Sequence, residues 1–301
     1  MAIAAGAGMG WAAADSARAL EHAINPSLGV LLYVTFLQVP VAELRRAVRD
    51  VRFLSALLTT NFAVVPLVVA AMFWLLPAEQ ALRVGFLLVL LCPCVDYVIV
   101  FSGLAGGSSR RLIAATPVLL VAQMALLPLF LWLFLGSDLT GIIAIQPFVE
   151  AFVVLIVIPL VAAWLTQWLS ARSPLATRFT TAVNTAMVPL MALVLFVVVA
   201  SQIPMVDGNL EDVVAVIPFY VLFLVVIPFL GAPVATRFGL DTGSRRAVVF
   251  SGATRNSLVV LPLALALPAG YEIAAVVVVT QTLVEVIGMV VYVRLIPRLV
   301  R

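Results

Sequence analysis

Apolar runs of roughly 20 residues, the length needed to cross a hydrocarbon core of about 30 Å as a helix, recur along the whole chain between short polar segments. They extend approximately from Pro26 to Val41, Phe53 to Leu76, Leu82 to Leu104, Leu112 to Leu135, Ile145 to Leu169, Val183 to Ser201, Val213 to Thr236, Ala247 to Leu267 and Ile273 to Ile296. Each run predicts a membrane-spanning helix. A further stretch, Met1 to Ala14, is apolar but several residues short and rich in Ala and Gly, so it reads as a truncated or interfacial first helix. With that stub included, the plan comes to about ten spans.

Two of the runs are interrupted. Leu82 to Leu104 reads LRVGFLLVLLCPCVDYVIVFSGL and carries Cys92, Pro93, Cys94 and Asp96 in its middle. Pro93 has no backbone N–H, breaks the helix and frees a carbonyl near Val89. Irregular backbone at membrane depth persists only where protein or a water-filled cavity covers it. Ala247 to Leu267 reads AVVFSGATRNSLVVLPLALAL, and its middle is polar as well: Ser251, Gly252, Thr254, Arg255, Asn256 and Ser257. In the order of spans these are the fourth and the ninth.

Composition sharpens this picture. With 64% hydrophobic and 10% charged residues over 301 positions and a mean hydropathy of +1.23, a water-soluble globule is excluded. All 17 basic residues are Arg, and the net charge is +3. Because the arginines sit in short loops, the basic balance reflects cytoplasmic loops rather than nucleic-acid affinity. The two cysteines, one residue apart within one run, suggest no disulfide framework. The N-terminus lacks the basic region and solid apolar core of a signal peptide. Phosphate loops, zinc-spaced clusters and nucleophile elbows are absent from the sequence, so no cofactor and no enzymatic activity are expected.

Charge also sets orientation. Arg45, Arg46, Arg49 and Arg52 share one loop; Arg110 and Arg111, Arg172 and Arg178, then Arg237, Arg245 and Arg246 fall in alternate later loops; Arg294, Arg298 and Arg301 close the chain. The intervening loops hold Arg18 and Arg83 among Asp15, Glu21, Glu79, Asp138, Asp207, Glu211, Asp212 and Glu272. Since Lys and Arg stay on the cytoplasmic side, the C-terminus is expected in the cytoplasm, with a bacterial inner membrane as the setting. Ten spans divide into two sets of five, and an odd number per half inverts the second half. The expected fold is therefore an all-α polytopic membrane domain over residues 1–301. It consists of two inverted five-helix repeats, approximately 1–136 and 145–301, whose discontinuous fourth and ninth helices cross at the midplane.

Three ionisable residues fall near the bilayer centre. Arg255 lies nine residues after Arg246, Asp96 eight before Leu104 and Glu285 nine before Arg294, or about 12 to 14 Å from the cytoplasmic face. A charge at that depth costs at least about 3 kcal/mol unless paired or hydrated, which makes each a functional candidate. Asp96 and Arg255 invite two readings: a buried ion pair that pins the crossing, or a substrate site in which Asp96 takes a cation or proton, or Arg255 an anionic group. Glu285 is then left without a partner, and a carboxyl lacking a countercharge in an apolar medium is suited to proton or cation exchange. Gln281, Thr282, Gly288 and Met289 share its helix face.

A buried cysteine taken singly is a small hydrophobe. Beside a proline break, thiols gain a second reading, since thiolates select soft ions and trivalent arsenic is a soft metalloid. Cys92 and Cys94 diverge on a regular helix, so joint binding requires unwound geometry. His22, the one histidine, is expected in a solvated first loop, and Glu150 near the outer end of its span. Gly103, Gly106 and Gly107 fit a tight exit from the broken helix.

The ten-span plan, the segments PCVDYVIVFSGLAGG and ATRNSL, and VEVIGMV in the last span resemble the bile acid/sodium symporter superfamily, and within it the arsenite efflux permease branch. That resemblance implies metalloid efflux driven by the proton gradient, with Cys94 and Glu285 as the residues tied to arsenite transport. Asp96 and Tyr97 stand where that branch is expected to carry small or apolar residues. Two functions follow. One is extrusion of arsenite or a similar metalloid in exchange for protons. The other is sodium-coupled uptake of an organic anion, with Asn256, Ser257, Gln281 and Glu285 as oxygen ligands and Arg255 on the carboxylate. The expected partners are a small inorganic or organic solute, protons or sodium, and membrane lipid.

Overall fold

In a computed structural model that describes residues 2–12, 20–37, 49–136, 150, 153–206 and 210–301, the described residues are helical throughout, joined by short turns. In chain order the helices are α1 (Ala2–Ala12), α2 (Glu21–Leu37), α3 (Val51–Phe73), α4 (Gln80–Leu90), α5 (Tyr97–Leu104), α6 (Ser109–Leu135), α7 (Ile158–Ser170), α8 (Pro174–Thr185), α9 (Met187–Val206), α10 (Leu210–Arg237), α11 (Thr242–Ala253), α12 (Ser257–Leu265) and α13 (Ile273–Leu299). Among the described residues α3, α6, α13 and the Val213–Arg237 part of α10 are long and apolar enough to cross a membrane on their own. The loop holding Arg45 and Arg46, and the residues Arg18, Asp138 and Asp207, lie outside the described residues.

Both expected interruptions are present. The fourth run divides into α4 and α5, and the ninth into α11 and α12. Neither half is long enough to span alone, so each pair forms one span with a gap of non-helical backbone at its middle. Two further irregularities escaped the sequence reading. A π-helical turn, Thr60–Val64, lies inside α3, and another, Val153–Val157, leads into α7. Each ends two residues before a proline, Pro66 and Pro159. A proline ring collides with the carbonyl four residues back and donates nothing to it; widening the preceding turn relieves the collision without ending the helix.

The seventh run also differs from expectation. Val183 to Ser201 is not one straight span: α8 and α9 meet at Ala186, and α8 is an additional short helix rich in Thr. His22, expected in a loop, falls in the first turn of α2. The stub is a helix, α1, and it packs along α9.

Contacts sort the helices into two groups. α1, α2, α7, α8 and α9 pack on one another, while α3 to α6 pack with α10 to α13. The groups meet mainly where α9 lies on α13 and α2 on α12. Inside the second group α4 packs with its backbone close against that of α13: a Cβ added at Gly85 would sit 2.7 Å from the Ala274 carbonyl oxygen, so only glycine fits there. Outward surfaces carry bare apolar side chains such as Leu67, Trp132, Phe229 and Ile287. That surface suits lipid rather than water.

One end of the second group is held by arginines. Arg111 of α6 pairs with Asp50, which caps α3, at 3.0 Å and with Asp241, which caps α11, at 2.7 Å. Arg245 donates to the Arg301 carbonyl, and Arg246 to the carbonyls of Val300, Pro297 and Ala105. Arg110, Arg111, Arg245, Arg246 and the C-terminus therefore lie at one end, as the alternation of arginines requires.

Candidate functional site

The two helix breaks meet and bond through their main chains. Cys94 N–H donates to the Thr254 carbonyl at 3.0 Å, and Asn256 N–H to the Cys92 carbonyl at 2.8 Å, with Pro93 and Arg255 as an antiparallel bridge pair. Proline loses nothing at this position, because its missing N–H is not called on. The carbonyl that Pro93 frees, Val89, accepts instead from Cys92 N–H at 3.4 Å. Unwound backbone in an apolar interior must find partners, and here each break supplies those of the other.

Of the two readings of Asp96 and Arg255, the ion pair is not formed. The Arg255 side chain is wholly buried and its guanidinium turns to neutral oxygens. Nη1 donates to the Leu90 carbonyl at 3.2 Å, while Nη2 lies 2.8 Å from Asn61 Oδ1, 2.7 Å from the Ser251 carbonyl and 2.6 Å from the Gly252 carbonyl. The ring of Phe223 lies 5.5 Å below. Leu90, Ser251 and Gly252 stand at the C-terminal ends of α4 and α11, where unpaired carbonyls concentrate negative potential. That potential compensates the cation at hydrogen-bond range, and the Glu285 carboxyl adds to it from beyond ion-pair distance. Asn61, which the sequence reading passed over, sits in the π turn of α3 and is itself fixed by bonds from its amide nitrogen to Leu57 O and Ser251 Oγ, each at 3.0 Å.

Glu285 is not partnerless, as expected from sequence, although its partners are uncharged. Tyr97 Oη donates to Oε1 at 2.6 Å, the Arg255 backbone N–H to Oε2 at 2.8 Å, and the Gln281 side-chain amide also donates to Oε2. Tyr97 additionally reaches the Arg255 carbonyl at 3.3 Å. The carboxyl thus ties α13 to the α5 start and to the break before α12. A buried carboxylate held only by neutral donors is intact in either protonation state only if those donors rearrange, so this network is sensitive to proton occupancy.

Asp96 stands at the N-cap position of α5 without capping it. The Thr35 hydroxyl of α2 is its polar neighbour, yet neither Asp96 Oδ1 nor Thr35 Oγ1 completes a hydrogen bond. Both residues are buried, and they belong to different helix groups, so the gap between them lies on the boundary between those groups. Other buried polar atoms without partners around the crossing are Arg255 Nε, Asn256 Nδ2 and Gln281 Oε1. Asn256 Oδ1 caps α12 by accepting from Val259 N–H at 3.3 Å. Ser257 Oγ accepts from Thr282 Oγ1 at 2.7 Å, joining α12 to α13.

The two thiols are buried and free. Cys94 has the backbone N–H groups of Asp96 and Val98, at the positive end of α5, and the carboxyls of Asp96 and Glu285 as electrostatic neighbours. Cys92 has Arg255. Among the described residues no three His, Cys, Asp or Glu side chains gather closely enough to hold a metal ion. On the same boundary between helix groups, an apolar cleft of about 360 Å³ is lined by Phe36, Thr116, Pro117, Leu120, Leu160 and Trp164 of α2, α6 and α7.

Residues 25–209, more than half of the chain, match the Sodium Bile acid symporter family. The match takes in Cys92 to Tyr97 and Asn61, and stops before α10. A comparison with curated proteins gave no match.

Proposed function

Because the chain belongs to the sodium bile acid symporter family and is an integral membrane transporter of a small solute and a coupling ion, we propose that it extrudes arsenite or a related trivalent metalloid in exchange for protons. The observation that carries this reading is the surroundings of Cys94: a buried thiol whose electrostatic neighbours are the amide end of α5 and two carboxyls, Asp96 and Glu285, neither of which has a cation within ion-pair distance among the described residues. Arsenous acid reaches neutral pH as the uncharged trihydroxide. One thiol displaces one hydroxyl, forming an S–As bond while the thiol proton and that hydroxyl leave as water. The bond reverses on rehydration, so a single cysteine binds without trapping. The remaining hydroxyls both donate and accept, which suits the unpaired Asp96 Oδ1 and Thr35 Oγ1. Glu285 supplies the exchangeable proton through its bonds to Tyr97 and Gln281.

In this reading the interrupted fourth and ninth helices are corresponding members of two inverted five-helix repeats. Their antiparallel main-chain pairing supports that correspondence. The arginine cluster around the C-terminus supports placing that end in the cytoplasm of a bacterial inner membrane.

A second reading, sodium-coupled uptake of an organic anion, draws its support from the apolar cleft between α2, α6 and α7. It also needs Arg255 to leave its four oxygen acceptors and reach a carboxylate. The two are separated by counterflow in everted vesicles with arsenite, antimonite and taurocholate at controlled pH and sodium. Accumulation of arsenite that follows the proton gradient, lost in Cys94→Ser and Glu285→Gln, is the expected result. Undiminished arsenite resistance in cells carrying either variant would sink the proposal.

A further inference from the structure

In broken-helix transporters, coupling cations are held by unwound carbonyls and by the C-terminal ends of half-helices. Here such oxygens are already engaged. The Leu90 carbonyl ends α4, the Ser251 and Gly252 carbonyls end α11, and Asn61 Oδ1 enters from α3; all four point at the Arg255 guanidinium at 2.6 to 3.2 Å. Three of them converge on Nη2, which has only two protons to give. The arrangement resembles a coordination shell around a monovalent cation more than a set of directed hydrogen bonds. Among the described residues no carboxylate reaches the guanidinium at ion-pair distance, Glu285 meeting residue 255 through its backbone N–H instead; the whole is buried, and Phe223 covers one face. A free sodium ion and the guanidinium would compete for the same oxygens, and the guanidinium is covalently attached.

We propose that Arg255 is a tethered cation that fills the oxygen cage between the two half-helix ends, so that this chain, unlike its family's name implies, takes no sodium ion at the crossing. The inference rests on the family assignment for the relevance of sodium, and on the cage alone for the rest. The same geometry makes a second statement: shortening residue 255 to a neutral side chain vacates a shell of neutral oxygens at negative helix ends and opens it to a small monovalent cation.

The test is thermal unfolding of the full chain in nanodiscs, in sodium chloride against choline chloride at equal ionic strength, for wild type, Arg255→Gln and Arg255→Lys. Wild type and Arg255→Lys are expected to unfold at the same temperature in both salts. Arg255→Gln is expected to be less stable in choline and to recover by a few degrees, saturably, in sodium. A saturable sodium stabilisation of wild type that Asn61→Ala removes would overturn the proposal, as would a folded Arg255→Gln protein indifferent to sodium. Should Arg255→Gln not fold, binding of radiolabelled sodium to wild type decides: none supports the tethered cation, and saturable binding lost in Asn61→Ala defeats it. None of these arms involves arsenite, so loss of metalloid transport would count against the proposed function and leave this inference standing.

Discussion

Tyr97 and Glu285, 188 residues apart in sequence, share a 2.6 Å hydrogen bond in which the phenol donates to Oε1. The bond joins the start of α5 to the middle of α13, and the same hydroxyl also approaches the Arg255 carbonyl. One side chain therefore reads the state of the carboxyl and the geometry of the opposite break. Removing it with Tyr97→Phe leaves a buried carboxylate short of a donor, which costs about 1 to 3 kcal/mol. Unfolding of the purified variant should show that loss, and under the proposed proton coupling its transport should depend differently on pH from wild type, Glu285 having lost the phenol's hydrogen bond.

The cysteines are expected to be unequal. Cys94 has the amide end of α5 and both carboxyls as electrostatic neighbours and Cys92 has neither, while Arg255 acts on both thiols. Cys94→Ser should lower arsenite transport by more than about tenfold, a loss of at least ~1.4 kcal/mol in transition-state terms, while Cys92→Ala should stay within a few-fold of wild type. Initial rates in everted vesicles decide this, and equal losses in both variants would place the metalloid between the two thiols.

Gly85 tests the packing of α4 on α13. A Cβ there would meet the Ala274 carbonyl oxygen at 2.7 Å and Ala274 Cα at 2.8 Å, both backbone atoms that cannot swing away. Gly85→Val should destabilise by about 1 to 3 kcal/mol through overpacking. The same substitution at Gly29, where an added Cβ meets nothing within 4 Å, is the control for the size of the effect.

At the arginine-rich end, stability should depend on acid. Burial alone would raise the Asp241 carboxyl, but the Ser244 hydroxyl and backbone N–H and the Arg111 guanidinium outweigh it and hold the group below its usual value of 3.8. A carboxyl depressed on folding contributes stability above its unfolded value, and that contribution is lost as pH falls through the lowered one. Asp241 is 62% exposed, so screening limits the contribution to below about 1 kcal/mol. Asp241→Asn keeps a residue able to cap α11 and removes only the charge. Its melting temperature should lie slightly below wild type at pH 7 and converge with it as the pH drops below 3.8.

Much of the scaffold was legible in sequence because it depends on bulk quantities: run length, proline, and the alternation of arginines. Pro93 announced the first break, and the polar run from Ser251 to Ser257 the second. The electrostatics of the site were not legible in the same way. Matching Asp96 to Arg255 treats side chains as the only charges present, yet Arg255 is compensated by main-chain carbonyls whose exposure is a property of the break and not of any residue type. Glu285 was expected to stand alone because one of its partners, the Arg255 amide, carries no identity in the sequence. Asn61 was passed over inside an apolar run, although the polar triplet Thr59, Thr60 and Asn61 at its centre was a visible signal. The π turn that aims Asn61 depends on the register shift ahead of Pro66, which periodicity does not reveal.

The backbone bridge between Cys92–Cys94 and Thr254–Asn256 has a mechanical consequence. Interrupted helices invite description as hinges, but these two are riveted to each other at their weakest points by two main-chain bonds, and the Arg255 cage adds a clamp from α3. Bending either break alone would strip partners from backbone groups that have no water to replace them. The most irregular backbone in the protein is therefore also its most heavily cross-linked, whereas the two helix groups meet mainly side by side, α9 on α13 and α2 on α12.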